Sequence, residues 1–185
     1  MKKFFTLIEV IVVLGVLGFI IPTIFIIVFT ISREQLKVKA ITEVKRQGDF
    51  IINSLSILIK NNTVSIHSSA PPNLSNIVCF DSDFNNNSEL IFKDLNNQWF
   101  KIYFNNDKIS SSSALSTIDL NSNSTKIYNF SIGCQSGSFY SAPIVNLSFD
   151  ICYKGNQTDC ININESTASL HYQTKIKLRN YYIDY

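Results

Sequence analysis

Glycine is scarce in this chain of 185 residues, at six, and histidine scarcer, at two. So few glycines leave no phosphate-cradling loop and no G-x-S-x-G turn. With His67 and His171 in unrelated contexts, no nucleophile can be paired with a base, and an enzyme is not expected. No C-x-x-C pair occurs, which argues against a zinc site. Charged residues make up 16% of the chain and the net charge is only +2, so the clustered basic face that nucleic acid requires is missing. Charge is wholly absent from Val10 to Ile31, and no alanine precedes Ala40. The first absence leaves a run of the roughly 20 apolar residues that can cross a bilayer as a helix. The second removes the small-residue site at which an ordinary signal peptide is cut.

Asparagine and serine are abundant instead, giving a surface that is polar without charge and rich in turn formers. The 45% hydrophobic content excludes a disordered tail, and the segment beyond the apolar run is long enough for one domain with its own core. Cys79, Cys134, Cys152 and Cys160 all lie in that segment. An even number of cysteines outside the cytoplasm reads as two disulfides, against the alternative of four reduced, buried thiols.

Glu9 stands at the edge of the apolar run, where a carboxylate costs on the order of a few kcal/mol unless it has a partner. Thr6 and Glu9 have the S/T-x-x-E spacing of a capping box, which satisfies free amides at a helix start. The wider stretch Met1-Lys2-Lys3-Phe4-Phe5-Thr6-Leu7-Ile8-Glu9-Val10 resembles the prepilin signal of type IV pilins and type II secretion pseudopilins. The resemblance implies a structural subunit, cut by prepilin peptidase between Phe4 and Phe5 and N-methylated at Phe5. Glu9 would then pair with the amine of a neighbouring subunit and set its register in a filament. Where the family has Gly or Ala before the cut, this chain has Phe4. A chain that kept its leader would be a permanently anchored extracytoplasmic binding module, and that is the alternative reading.

Lys2 and Lys3 favour a cytoplasmic N-terminus, whereas Arg33, Lys37, Lys39, Lys45 and Arg46 after the run favour the reverse. The cysteines and the resemblance decide for a single pass through the inner membrane with the C-terminal part outside. The implied partners are membrane lipid, the peptidase, other pilin or pseudopilin subunits and the inner-membrane assembly platform.

Beyond Ile31 the pattern becomes amphipathic. Ile41, Val44, Gly48, Ile51, Leu55 and Leu58 recur in steps of three and four, and no breaker separates them from the span. A single helix from about Phe5 to about Lys60 would be roughly 84 Å long. Gly15, Gly18 and Pro22 are positions where it can loosen or bend. Asn61 and Asn62 end it, and His67 to Pro72 read as a solvated loop. Strands are predicted over Ile77–Phe80, Glu89–Asp94, Trp99–Phe104, Ser116–Leu120, Lys126–Cys134, Ile144–Tyr153 and Ser169–Leu178, with Ser110–Ser113 as a polar loop.

The expected fold is therefore α+β and pilin-like. It comprises a leader (1–4), a transmembrane half-helix (5–31), an amphipathic half-helix (32–60) and a head with an antiparallel sheet (61–185). The closing Leu-Arg-Asn of the last strand resembles J-type pseudopilins and W-type minor pilins. Pairing the strands that flank Ser136 places Cys134 opposite Pro143, away from Cys152. Cys152 with Cys160 then closes a tight loop, leaving Cys79 for Cys134.

Asp81, Asp83, Asn85 and Glu89 supply oxygens at alternating positions like the start of a calcium loop. Asn86 replaces its turn glycine, and Phe92 takes the place of its bidentate Glu. The competing reading is an Asx-rich turn between strands. W-type pilins, which this chain resembles, often carry an Asp-rich loop here.

Overall fold

The computed structural model describes residues 6–80, 82–86, 88–113, 116–137, 141–163, 166–179 and 181, with residues 162, 163, 166 and 167 described by backbone alone. It divides into two compact units, Met1–Ala40 and Ile41–Tyr185. Helix α1 (Leu7–Asn62) begins in the first and ends in the second. It runs through Pro22 without a break. The proline ring deprives the Gly18 carbonyl of its N–H partner, and one residue on, the Thr23 hydroxyl donates to the Phe19 carbonyl at 2.8 Å.

In the second unit α1 lays one stripe against the sheets. Val44, Ile51, Leu55 and Ile59 are fully buried, spaced to fall on one face of a 3.6-residue turn. This corrects the expected stripe at its ends, since Ile41 is exposed and Ile59 rather than Leu58 is fully enclosed. Gly48 lies under the ring of Tyr172, where any Cβ would overlap the phenol. The Tyr172 hydroxyl donates to the Lys45 carbonyl and the Asp49 carboxylate, 3.2 Å each. Burial, and then the Asp49 charge, push that phenol up to about 12.

Strands β1 (Thr63–His67), β2 (Phe84–Asn86), β3 (Glu89–Asp94), β4 (Trp99–Asn105), β5 (Lys108–Ser113), β6 (Thr117–Asp119), β7 (Thr125–Gln135), β8 (Ile144–Tyr153), β9 (Asn162–Ile163), β10 (Ser166–Thr167) and β11 (Ser169–Lys177) come after the helix. Among the described residues they form a five-stranded sheet, β1-β3-β4-β5-β6, a four-stranded sheet, β11-β8-β7-β2, and a β9–β10 hairpin, with every pairing antiparallel. Leu90, Phe92 and Ile102 of the first sheet and Ile132, Leu147 and Phe149 of the second join the helix stripe in one hydrophobic cluster. The architecture is α+β and pilin-like.

Three predictions about the strands need correction. Ser110–Ser113 is not a loop but most of β5. Ile109 and Ser110 are buried, the Ser110 hydroxyl donates to Asp119 at 2.7 Å, and Thr117 donates to the Ser112 hydroxyl at 3.0 Å. Serine satisfies its own hydroxyl across such a ladder, so a polar run between two paired strands stays extended.

Ile77–Phe80 is not a strand. Ile77 alone bridges to His67, and Cys79 has φ 64°, a left-handed backbone that ends the extended run.

Cys134 faces Val145 rather than Pro143, because β7 continues to Gln135 opposite Ile144. The turn at Asn105-Asn106-Asp107-Lys108 has φ 48° and 65° at its two central residues, the mirror-image geometry that matches strand twist.

Candidate functional site

The first unit is an apolar rod. Every residue from Thr6 to Leu36 is exposed, and no large apolar side chain from Leu7 to Ile31 is less than 43% exposed. The helix is long and apolar enough to cross a membrane. Contiguous apolar surface on this scale requires lipid or protein around it. The first charge after the run, Arg33, sets its guanidinium over the Phe29 ring, 4.4 Å from its centroid, a cation–π contact.

At the start of the rod the capping box is formed. Glu9 Oε2 accepts from the Thr6 amide at 2.8 Å and from the Thr6 hydroxyl at 3.0 Å, while the Glu9 amide donates back to Thr6 Oγ1 at 3.4 Å. Two donors that a helix start leaves open are thereby satisfied, and the carboxylate lies at the positive end of the helix dipole. The cap bonds both fall on Oε2, and a carboxylate has a second oxygen, Oε1, through which it could also meet an amine. Phe4 and Phe5, the expected processing and methylation positions, lie outside the described residues.

The four cysteines form two disulfides, Cys79–Cys134 and Cys152–Cys160, with Cα separations of 5.9 and 5.8 Å. The first ties the segment after β1, in the five-stranded sheet, to β7 of the other. The second closes the loop around Gly155, whose φ of 58° suits glycine.

Of the calcium candidates, Asp83, Asn85 and Glu89 are among the described residues. Asp83 Oδ1 accepts the Ser136 amide at 2.7 Å, Asn85 stands in β2 against Gly133, and Glu89 in β3 pairs with Lys101 at 3.4 Å. Gly133 has to be glycine, because a Cβ there would overlap Asn85 Oδ1 and the Phe84 carbonyl. Asp81 lies outside the described residues. Among those described, no three His, Cys, Asp or Glu side chains gather as metal ligands.

Two polar networks escaped the sequence reading. On β8 and β11, the Asp150 carboxylate meets His171 Nδ1 at 2.6 Å and accepts from Asn129 at 2.6 Å. Burial pulls that carboxyl upward, yet the two hydrogen bonds outweigh it and leave it below the ordinary range.

His67 is the larger surprise. Rather than a solvated loop residue, it closes β1 and is 2% exposed. Its Nδ1 meets Asn76 Oδ1 at 2.7 Å and its Nε2 meets Ser65 Oγ at 2.8 Å. Asn76 Oδ1 can only accept, so Nδ1 carries the proton and Nε2 accepts from the serine. Asn76 in turn donates to the Ser69 and Pro71 carbonyls, pinning the chain that folds over β1. The only sequence signal was Ile66 and His67 coming after the helix end without a breaker.

Burial lowers the His67 pKa below its ordinary 6.5, and the Lys93 charge adds to the effect. The unfolded chain then takes up a proton that the folded chain refuses, so stability is intact above pH 6.5 and falls as pH drops through that value. Urea unfolding at pH ~7.5 and ~5.5 should show a lower midpoint in acid, and His67→Gln should flatten that difference while lowering stability at both pH values.

No family model matches this chain, and neither does any curated protein or solved structure.

Proposed function

We propose that this protein is a structural subunit, a minor type IV pilin or pseudopilin. It inserts in the inner membrane with its head outside the cytoplasm, is cut between Phe4 and Phe5 by prepilin peptidase, and assembles into a pilus or pseudopilus through its N-terminal helix. The observation that carries the reading is the uninterrupted helix Leu7–Asn62, apolar and exposed in its first part and seated in the head core by Val44, Ile51, Leu55 and Ile59 in its last. One element of that kind couples a membrane segment directly to a folded domain. In a filament, the same exposed surface would pack against identical rods once it leaves the lipid. An α-amine freed at Phe5 is largely cationic near neutral pH and would compensate Glu9 where water is excluded.

Phe4 favours a second reading. A bulky residue where the peptidase takes a small one would preserve Lys2 and Lys3 and deny Glu9 its amine, leaving a permanently anchored binding module. N-terminal sequencing of protein purified from its host separates the two. A methylated Phe5 is the expected first residue, and an intact Met1 would leave only the anchored module.

A further inference from the structure

Ser65 and His67 stand two positions apart on β1, so their side chains share one face of the five-stranded sheet. Their contact has a direction. Asn76 Nδ2 donates to the Ser69 and Pro71 carbonyls, 2.9 and 3.0 Å away, which fixes that atom as the amide nitrogen and turns Oδ1 toward His67 Nδ1. Asn76 Oδ1 is further held by the Asn73 amide at 2.9 Å. Nδ1 therefore carries the ring proton, and the Nε2 lone pair faces the Ser65 hydroxyl at 2.8 Å. A hydroxyl meets an imidazole in the tautomer that can take its proton, and an acceptor orients the ring from behind. Those are the relations of nucleophile, base and orienter in acyl transfer.

The pair opens on space. Ser65 and His67 both line a cleft of about 390 Å³ between the loop after β1 and the turn joining β3 to β4. That volume falls within the range of small-molecule sites, about 300–1,000 Å³. Pro72, Leu74, Ile77 and Leu95 give the cleft apolar surface, while Lys93 and Asp94 bring one charge of each sign, an arrangement that favours a neutral molecule. Lys93 is the ladder partner of Ser65, which puts a cation on the nucleophile's face, the sign that a developing oxyanion needs. Burial holds His67 below its ordinary 6.5, so the ring is a neutral base near pH ~7. The same burial, with an uncharged Asn76 behind the ring, leaves the imidazolium poorly stabilised. A leaving group that departs without full protonation suits such a base, so an ester fits it better than an amide.

We propose that Ser65, His67 and Asn76 form an acyl-transfer centre that hydrolyses small neutral carboxylic esters. The activity is independent of whether the chain polymerises. Ser65 Oγ bonds to the ester carbonyl carbon while His67 Nε2 takes its proton. The carbon–oxygen bond to the alcohol then breaks, and Nε2 returns the proton to the departing oxygen, leaving an acyl group on Ser65. Water attacks that group, its proton passing to Nε2 and from there to Ser65 Oγ, so one ester and one water become one acid and one alcohol. Asn76 touches no reacting atom and is a positioning residue.

The full-length protein in maltoside micelles is mixed with p-nitrophenyl acetate, quenched in acid and mapped by peptide mass spectrometry. Ser75, exposed on the neighbouring loop, is a control within the same folded molecule. Ser65 should acquire an acetyl group about 100-fold faster than Ser75. Release of p-nitrophenol should pass one equivalent per chain, and p-nitroacetanilide should leave Ser65 unmodified. His67→Gln should bring Ser65 down to the rate of Ser75. Asn76→Asp keeps the acceptor oxygen and adds a charge that stabilises the imidazolium. It should raise kcat with KM unchanged and move the pH midpoint of kcat upward, a response that a merely structural Asn76 would not give. An unchanged kcat in that variant would remove Asn76 from the centre. Acetylation of Ser65 no faster than of Ser75, release that stops at one equivalent, or equal labelling by the anilide would overturn the proposal. The comparison within the unmutated chain decides the matter even where a variant fails to fold.

Discussion

On the proposed reading, Glu9→Val should leave the protein in the membrane and remove it from filaments. Insertion would be driven by the charge-free run Val10 to Ile31, which the substitution only lengthens. Assembly, on the proposed reading, needs the carboxylate to meet the Phe5 amine of a neighbour in a water-excluded core. Removing one member of such a pair costs about 3–5 kcal/mol, more than about 100-fold in an association constant.

Glu9→Gln sharpens the test. Its side-chain oxygen can still accept from the Thr6 amide and hydroxyl, now 2.8 and 3.0 Å from Glu9 Oε2, so the helix start keeps its cap but loses its charge. If capping were the whole role, the Gln variant would assemble and the Val variant would not. If the charge matters, both fail. Immunoblots of membrane and sheared-filament fractions give the answer, and normal recovery of Glu9→Val in filaments would rule out the assembly role.

The second large effect is unequal loss of stability from the two disulfides. Cys79–Cys134 joins residues 55 apart, whereas Cys152–Cys160 joins residues 8 apart. Loop-closure entropy assigns the longer link about 4 kcal/mol and the shorter about 2.5 kcal/mol. Position adds to the difference, since Cys79 and Cys134 are both 1% exposed and their bond ties the segment after β1 to β7, whereas Cys160 is only half-buried. Replacing Cys79 and Cys134 by alanine should therefore lower the urea midpoint of the head transition clearly more than replacing Cys152 and Cys160. Equal midpoints, or the reverse order, would show that the long link does not constrain the unfolded chain as its span requires.

Much of the head was legible because its signals are local. β3, β4, β7, β8 and β11 each alternate or run apolar over six residues or more, bounded by Asn-rich turns, and each lies within a residue or two of where that pattern puts it. β5 was not legible, since Ile109 is its lone apolar residue and its extension is imposed by the strands on either side. Ile77–Phe80 failed in the opposite way. Its composition suits a strand, but the left-handed turn at Cys79 and the bond to Cys134 take the chain out of the ladder. Among the calcium candidates, alternating oxygens proved ambiguous for a reason of geometry. Asn85 and Glu89 fall on strands of different sheets, and the Asp83 carboxylate is taken by a backbone amide 53 positions away.

The sequence by itself determined the apolar rod, the capping spacing of Thr6 and Glu9, the continuation of the helix into an amphipathic stripe and the β-rich composition of the head. Each depends on residues within a few positions of one another, where helix and strand periods and solvation dominate. Only the tertiary structure decided that His67 is enclosed rather than solvated, that Gly48 makes room for Tyr172, and that Cys134 faces Val145. Those depend on which distant segments share a volume, and such contacts are set by packing the whole core at once.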